Sequence, residues 1–170
     1  MKRNILCLLL FILITGTAFA GPDNITDQTS SSVIVNLYFR DLLKSNLSAI
    51  PCSLENKEDM AAFARNIIEL LFKGPGNKAV SAIPDGTHLL ALYVDSSGTA
   101  YVDMSREIKD GQPGGILAES ISVYSIVNSL ALNVTGVRRV KLLIEGREEE
   151  TLAGHIDIRF PLEANMLLIR

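Results

Sequence analysis

The stretch from Ile83 to Ile158 constrains the fold most, because three different residue patterns follow one another within it. Alternating apolar residues flank Ser96-Ser97-Gly98, which predicts two strands joined by a short hairpin loop with Gly98 at a positive φ. A helical pattern follows over residues 116–133, and alternation returns over residues 139–144. This order predicts an α+β fold, with two main helices packed on a small mixed or antiparallel sheet of four to six strands.

Each predicted strand of this stretch has an apolar face. The faces consist of Leu90, Leu92 and Val94, then Ala100, Val102 and Met104, then Val140, Leu142 and Ile144. Three shorter C-terminal pieces extend the pattern: Glu149–Leu152 as a partner strand, His155–Phe160 as an extended piece, and Met166–Ile169 as a segment that closes the sheet. These pieces would complete the sheet around the core.

The N-terminal half predicts a further pair of strands and the first helix. Val33 to Phe39 alternates as a strand, and Ala49 to Leu54 is a shorter strand placed at an edge by Pro51. Helical spacing of apolar residues follows from Met60 to Leu71. Asn56 is the predicted N-cap of this helix, and Gly74 is its predicted end.

The second long helix, over residues 116–133, contains one charged residue, Glu119. Its predicted apolar stripe consists of Leu117, Ile121, Tyr124, Val127, Leu130 and Ala131. A helix with so little charge is expected to be buried on much of its circumference or to contact another subunit.

Residues 1–20 read as a signal peptide rather than as part of the fold. A basic start precedes ten apolar residues, and small residues precede the predicted cleavage between Ala20 and Gly21. The apolar run is short for a membrane-spanning helix, so cleavage is preferred over retention of the leader as an anchor. Residues 21–32 are polar and predict a flexible linker, which leaves residues 33–170 as the folded domain.

Composition narrows the classes of partner. The chain carries a net charge of −3, and its basic residues cluster no further than Arg138-Arg139, so a nucleic-acid partner is disfavoured. Beyond the leader, Cys52 is the one remaining cysteine, which excludes an intramolecular disulfide. Cys52 is interpreted as a small apolar side chain buried in a strand.

Two pairs of residues could carry chemistry. His155 and Asp157 would face the same side of a strand, as a metal half-site or as a base with its orienting acid, but only His88 could add another imidazole. A surface hydrogen-bonding pair is the preferred interpretation. Asp95 and Asp103 could meet across the hairpin as paired carboxylates, although their positions near turns favour solvated loop residues.

The remaining candidates point to structural roles. The loop Lys109–Gly115 precedes a helix and could bind an anion, but it lacks a phosphate-loop motif, so the Gly pair is interpreted as a tight turn into the helix. Ser105 and Ser125 lack the GxSxG context of a hydrolase. Glu119 could face water, interact with the helix dipole, or pair with Arg138 or Arg139, and a structural role is favoured. No catalytic residue, metal ligand or cofactor is predicted, and the binding residues are unknown.

Four pieces of the chain together resemble the GerMN domain, the sporulation and spore-germination domain of exported proteins and lipoproteins. They are AAFARNIIELLFKGP, IPDGTHLLALYVDSSGTAYVDMS, ESISVYSIVNSL after a Gly pair, and VRRVKLLIEGREEETLAGHIDI. The resemblance covers about Val33 to Leu162. It implies helices packed on a small sheet, similar to ring-building modules of cell-envelope assemblies, and it implies no established enzymatic activity.

The resulting hypothesis is an exported, non-enzymatic cell-envelope module, periplasmic or extracytoplasmic, that binds envelope proteins or cell-wall polymer. It would contact the membrane only through an uncleaved leader. Two alternatives stay open: a weak cell-wall hydrolase that uses His155 or carboxylates, and a ring component that self-associates through the charge-poor helix.

Overall fold

The computed structural model describes residues 31–41, 43, 45–76 and 79–169. The predicted signal peptide, its cleavage site and all but the last two residues of the predicted linker lie outside these residues. The elements in chain order are β1 (Ser32–Arg40), β2 (Leu47–Glu55), α1 (Met60–Lys73), β3 (Leu89–Val94), β4 (Thr99–Met104), α2 (Glu107–Asp110), α3 (Ile116–Ala131), β5 (Arg139–Ile144) and a final 3-10 helix (Met166–Leu168).

The strands form two sheets, and the α+β class is confirmed. β1 and β2 are an antiparallel pair, while β3, β4 and β5 form a second sheet in that order. β3 and β4 are antiparallel, whereas β4 and β5 are parallel. The parallel pairing follows from the connection, because α3 carries the chain back across the sheet between the two strands. The five named strands lie within the predicted number, but they divide between two sheets instead of forming one.

Helix α1 ends as predicted but begins with a different cap. The carboxylate of Asp59 accepts the backbone N–H of Ala62 at 2.9 Å, so Asp59 is the N-cap. The prediction of Asn56 was wrong, because the backbone N–H of Asn56 is bound to the carbonyl of Ser31 at the open end of the β1–β2 pair. Gly74 ends the helix at a φ of +86°, a conformation that glycine adopts without steric cost.

One apolar core joins both sheets to both long helices. Its largest fully buried side chains include Leu37 and Phe39 of β1, Ile67 and Leu71 of α1, Met104 of β4, Ile126 and Leu130 of α3, and Leu142 of β5. Cys52 is only half-buried in β2, where it packs against this core.

One predicted strand face needs correction, and one further strand, β5, has buried residues on both of its faces. Leu90 is 50% exposed, because the register of β3 against β4 shifts between Leu89 and Ala91, and such a bulge turns one residue away from its former face. Lys141 of β5 is buried, because its Nζ donates to Glu148 at 3.1 Å and to the carbonyls of Ile158 and Arg159. Hydrogen-bond partners of this kind offset the cost of burying an ammonium group.

The C-terminal region contains less strand than the alternation predicted. Residues 149–152 and 155–160 do not form strands. They are joined by a single β-bridge, between Thr151 and Asp157. The segment 166–169 is mostly a 3-10 helix, although Ile169 forms a bridge with Leu47. The predicted loop from Lys109 also begins inside the short helix α2.

Most of helix α3 is buried within its own domain. Burial was one of the two expectations for a helix with so little charge, and contact with another subunit was the other. Ser122, Ser125, Asn128 and Ser129 are buried together with the apolar residues of the helix. Leu117, placed in the predicted apolar stripe, is instead 43% exposed. Within the residues that the structure describes, no helix is long and apolar enough to cross a membrane.

Candidate functional site

Glu119 holds the C-terminal segment onto helix α3. Its side chain is 1% exposed, and its two oxygens accept the backbone N–H groups of Ala153 at 2.8 Å, His155 at 3.0 Å and Ile156 at 2.9 Å. The His155 ring adds a fourth contact, with 3.0 Å between its Nδ1 and Glu119 Oε2. The favoured structural role therefore agrees with the geometry, whereas two of the alternatives that the sequence left open, exposure to water and pairing with Arg138 or Arg139, do not.

The pKa of Glu119 reflects two opposing effects. Burial is the largest single influence and raises the pKa, but the hydrogen bonds from Ala153, Ile156 and His155 together outweigh it. The pKa of the carboxyl group is therefore lowered below its usual value, and the group stays ionised at neutral pH.

The structure separates His155 from Asp157 by giving each a different partner. Asp157 binds Arg159, with 2.7 Å between Oδ2 and Nη2, and hydrogen bonds from Arg159 lower the pKa of Asp157 to about 2. His88 lies elsewhere, with its backbone N–H bound to Ser105 Oγ at 2.9 Å. Among the described residues, no three His, Cys, Asp or Glu side chains gather into a group that could hold a metal ion.

Asp95 and Asp103 also serve separate turns. Asp95 Oδ1 accepts the backbone N–H groups of Ser97 and Thr99, both at 2.9 Å, and closes the β3–β4 hairpin. Asp103 Oδ1 accepts the N–H of Gly146 at 2.8 Å and fixes the turn after β5. Each carboxylate therefore stabilises a turn of its own.

Polar side chains of α3 hydrogen-bond to the outer edge of β1. Ser125 Oγ donates to the carbonyl of Tyr38 at 2.5 Å, and Ser129 Oγ accepts the N–H of Tyr38 at 3.1 Å. Asn133, just beyond the helix, binds both backbone groups of Asn36, at 2.8 and 2.7 Å. The spacing of four residues between Ser125, Ser129 and Asn133 puts them on one helix face, a signal that sequence reasoning could have used.

A cleft of about 560 Å³ lies between the β1–β2 connection and the beginning of α3. The lining residues from the connection and from β1 are Arg40, Asp41, Leu43, Ser45 and Asn46. The lining residues from the other side are Pro113, Gly114, Gly115, Ile116, Leu117, Ala118 and Ile121. This cleft is the candidate functional site, because it combines open space with polar groups that have no partner among the residues that the structure describes.

The first turn of α3 leaves backbone donors open to the cleft. Gly115 is the N-cap and supplies no side-chain hydrogen bond, in contrast to Asp59 of α1. The first N–H of α3 with a helical acceptor is that of Glu119, bound to the carbonyl of Gly115 at 3.2 Å. The N–H groups of residues 116–118 therefore have no acceptor in the described part of the chain.

The Gly pair before α3 has the conformation that the sequence predicted. Gly114 and Gly115 have φ values of +84° and +88°, and both permit the tight turn into the helix. A Cβ atom at either position would meet nothing within 4 Å, so the turn borders open space. The sequence did not reveal that this turn leaves the following donors uncapped.

Asn46 and Arg40 contribute side chains on the opposite wall. Asn46 is 7% exposed, and within the described residues neither its Oδ1 nor its Nδ2 has a hydrogen-bond partner. Arg40 is exposed and forms no ion pair with any residue that the structure describes. The neighbouring Asp41 is engaged, since it accepts the N–H of Leu43 and the hydroxyl of Ser48.

Apolar side chains complete the cleft. Leu43 is 93% exposed, Ile116 is 62% exposed and Leu117 is 43% exposed. Such an arrangement, in which a few polar groups converge inside an apolar surround, is typical of binding sites for small ligands and peptides.

Comparison with known proteins gives a family match and similar solved structures. Residues 36–150 match the family described as "Germane: Sporulation and spore germination". No curated protein sequence matches the chain.

Three similar structures have 18 to 23% sequence identity to this chain, which supports likeness of fold alone. A protein of Clostridium perfringens assigned as a lipoprotein has a TM-score of 0.57 and 18% identity, over 78% of this chain and 87% of that one. The tandem GerMN domains of the Bacillus subtilis sporulation protein GerM have a TM-score of 0.59 and 23% identity, over 78% of this chain and 46% of theirs. The first of those domains alone gives 0.55 and 22%, over 78% and 96%.

Proposed function

Because this chain belongs to the sporulation and spore germination family, we propose that it is an exported, non-enzymatic module of the cell envelope. In this proposal it binds an envelope protein or cell-wall polymer. The three-stranded sheet and the helices supply the rigid scaffold, and the cleft between Arg40, Asn46 and the beginning of α3 supplies the contact surface.

The main support is the contrast between engaged and open polar groups. Glu119, Asp95, Asp103, Asp157 and Ser125 each bind a group of their own chain. These were the residues from which a reaction could have been built. The donors of the cleft, in contrast, have no partner in the described residues, which favours recognition of another molecule at that place.

Two further observations support an extracytoplasmic location. The first twenty residues have the basic start, the apolar run and the small-residue end of a signal peptide. A protein of similar fold from Clostridium perfringens is assigned as a lipoprotein. Expression of the full chain, followed by fractionation and mass measurement, would test this part. We expect a product that begins at Gly21 and is found outside the cytoplasm, and a cytoplasmic product of full length would refute it.

Binding can be tested with the purified protein and a matched pair of variants. Sedimentation with purified peptidoglycan and capture from envelope extracts should recover the wild type in at least one assay. Arg40→Gln, in the cleft, should reduce recovery, whereas Arg65→Gln, on the exposed side of α1, should not. Absence of binding in both assays would refute the proposed function.

The two alternative hypotheses gain no support from the geometry. A hydrolase built on His155 is not supported by the contact of its Nδ1 with Glu119 alone, because Glu119 also accepts three backbone N–H groups and thereby anchors the C-terminal segment. Self-association through the charge-poor helix would need an open α3 surface, but most of α3 is buried within its own domain.

A further inference from the structure

We infer that strand β3 is a self-association surface, on which two copies of this chain pair their β3 strands antiparallel about a twofold axis at Tyr93. The three-stranded sheets of the two copies would then form one continuous sheet. This surface is separate from the cleft and from α3, and self-association goes beyond the proposed function, which concerns an envelope component. Three features of β3 support the pairing: its open edge, the exposed ring of Tyr93, and the opposite charges at its two ends.

The backbone of β3 offers hydrogen-bonding groups along its outer edge. Asp95 donates its N–H to the carbonyl of Thr99 at 3.0 Å, so these two residues are a hydrogen-bonded pair of the β3–β4 hairpin. Hydrogen-bonded and non-hydrogen-bonded pairs alternate along an antiparallel ladder, so Leu92 and Val94 direct their N–H and carbonyl groups away from β4. No residue that the structure describes binds these groups, and such an edge can accept a further strand.

The other strand edges within the described residues are covered or interrupted. The outer edge of β1 is bound by hydroxyl groups of α3, and that of β5 is bound by the segment that follows it. On β2, Leu47 forms a bridge with Ile169, and Pro51 has no N–H to donate. Proline and charged residues commonly protect an exposed edge from pairing, and β3 contains neither from Leu89 to Val94.

The part of β3 that can pair is centred on Tyr93. It begins at Ala91, after the register shift of β3, and it ends at Asp95, where the hairpin turn starts. A bulge interrupts pairing, so a new strand is limited to this stretch. An axis at Tyr93 places Leu92 of each copy opposite Val94 of the other, and the outer N–H and carbonyl groups of both residues then gain partners. An axis at any other residue would leave some of these groups without a partner.

Tyr93 is exposed at the place where this axis would lie. Its ring stacks on that of Tyr101 in β4, with 4.5 Å between the ring centroids and 6° between the planes, and Tyr93 is still 52% exposed. Neighbouring strands lie about 4.7–4.9 Å apart, so the stack follows the spacing of the sheet. Tyr93 of a second copy would form a non-hydrogen-bonded pair with Tyr93 of the first, in which opposite side chains lie closest, and it would continue the stack across the axis.

Opposite charges at the two ends of β3 favour the same pairing. Arg138 lies at the hairpin end, where its Nε would be 3.2 Å from a Cβ at Gly98. Glu107 lies at the other end, where its Cγ would be 3.6 Å from a Cβ at Gly86. Neither charged residue forms an ion pair within the described part of the chain. An antiparallel pair about Tyr93 brings the hairpin end of each copy to the start of β3 in the other, so Arg138 of one copy approaches Glu107 of the second.

Sedimentation velocity of the purified protein at several concentrations measures the oligomeric state. Because the paired stretch is short, we expect a weak dimer with a dissociation constant of about 10–100 μM. Hydrogen exchange then locates the interface: the amides of Leu92 and Val94 should exchange about tenfold more slowly well above the dissociation constant than well below it. A strict monomer at about 1 mM, or a dimer in which these two amides exchange at the monomer rate, would overturn the inference.

Charge variants at Tyr93 test the position of the axis. Tyr93→Lys and Tyr93→Glu each place like charges opposite one another, so each variant alone should weaken the dimer about tenfold or more. An equimolar mixture of the two should regain the dimer, because Lys then faces Glu across the axis. Ile34→Lys, at a residue of β1 that is 66% exposed, is the matched control and should leave the dissociation constant unchanged. An unchanged dissociation constant for Tyr93→Lys, or no recovery in the mixture, would overturn the inference.

A backbone variant keeps the test valid if the charge variants fail to fold, which circular dichroism would reveal. Val94→Pro removes an outer N–H of β3 without removing a hydrogen bond to β4, so it should also weaken the dimer about tenfold or more. An unchanged dissociation constant for Val94→Pro would contradict the pairing. Protection of the Leu92 and Val94 amides in a monomer, seen only after addition of an envelope extract, would assign the edge to a strand of another protein and overturn pairing with a second copy.

Discussion

Replacement of Glu119 should be the most damaging single change outside the apolar core. In Glu119→Ala, three backbone N–H groups lose a charged acceptor, and the segment from Ala153 to Ile156 loses its anchor on α3. Hydrogen bonds to charged groups contribute about 1.5–3 kcal/mol each, but such values are not additive. Because His155 is 45% exposed, water can reach part of the site. We therefore expect a loss of about 3–5 kcal/mol in the free energy of unfolding.

The isosteric variant Glu119→Gln isolates the contribution of the negative charge to the free energy of unfolding. Gln keeps one acceptor oxygen but places an NH₂ group where Glu119 accepts backbone N–H groups, so we expect a smaller loss of about 2 kcal/mol. Urea unfolding at pH 7, followed by circular dichroism, measures both variants. Glu69→Gln is the matched control, since Glu69 is 56% exposed on α1 and its ion pair within the described residues is with Arg65 at 3.8 Å.

The contribution of Glu119 to the free energy of unfolding depends on pH in a definite direction. The pKa of Glu119 in the folded protein lies below its value in the unfolded chain, so the ionised form stabilises the fold. This contribution is complete above the unfolded pKa of about 4.3 and is lost as the pH falls through the folded pKa. The gap in stability between wild type and Glu119→Gln should therefore narrow below about pH 4. A gap below about 0.5 kcal/mol at pH 7 for both variants would refute the reasoning.

Three further changes test the packing and the caps by thermal or urea unfolding. Leu142→Ala should cost about 2–5 kcal/mol, because the side chain is 1% exposed in the core, while Leu117→Ala on the cleft surface should cost far less; equal losses would mean that the inward face of β5 is wrong. Ser129→Ala should cost about 1–2 kcal/mol, because the buried N–H of Tyr38 loses its acceptor; no loss would show that this bond is replaced by water. Asp59→Ala should cost about 1 kcal/mol through loss of the cap on α1, and an unchanged midpoint would contradict that assignment.

The elements whose apolar residues recur at a regular spacing were predictable from the sequence. Ala100, Val102 and Met104 alternate, and all three are fully buried in β4, because a strand paired on both sides has little freedom to deviate. Leu90 shows where the argument fails: a bulge depends on the pairing of two strands, and alternation within one strand does not contain it.

Side-chain partners were predicted less well than elements. Glu119 was recognised as structural from its isolation on an uncharged helix, but its partners are backbone groups 34 to 37 residues further along the chain. Backbone donors carry no signature in the sequence, so the alternatives named from the sequence, including a pair with Arg138 or Arg139, did not contain these partners. The cleft was missed for the same reason, because its donors are main-chain groups and Asn46 gives no sign of lacking a partner.

The contacts between α3 and β1 determine how the two sheets are aligned with each other. Ser125 and Ser129 bind Tyr38, and Asn133 binds Asn36. These hydrogen bonds fix the position of the helix along the strand. A slip of one residue would turn the apolar face of β1 out of the core, and a slip of two would leave the hydroxyl and amide groups of α3 without their matching positions. The same alignment sets how far Arg40, at the end of β1, stands from the first turn of α3. Three small uncharged side chains thereby fix the width of an opening that none of them touches.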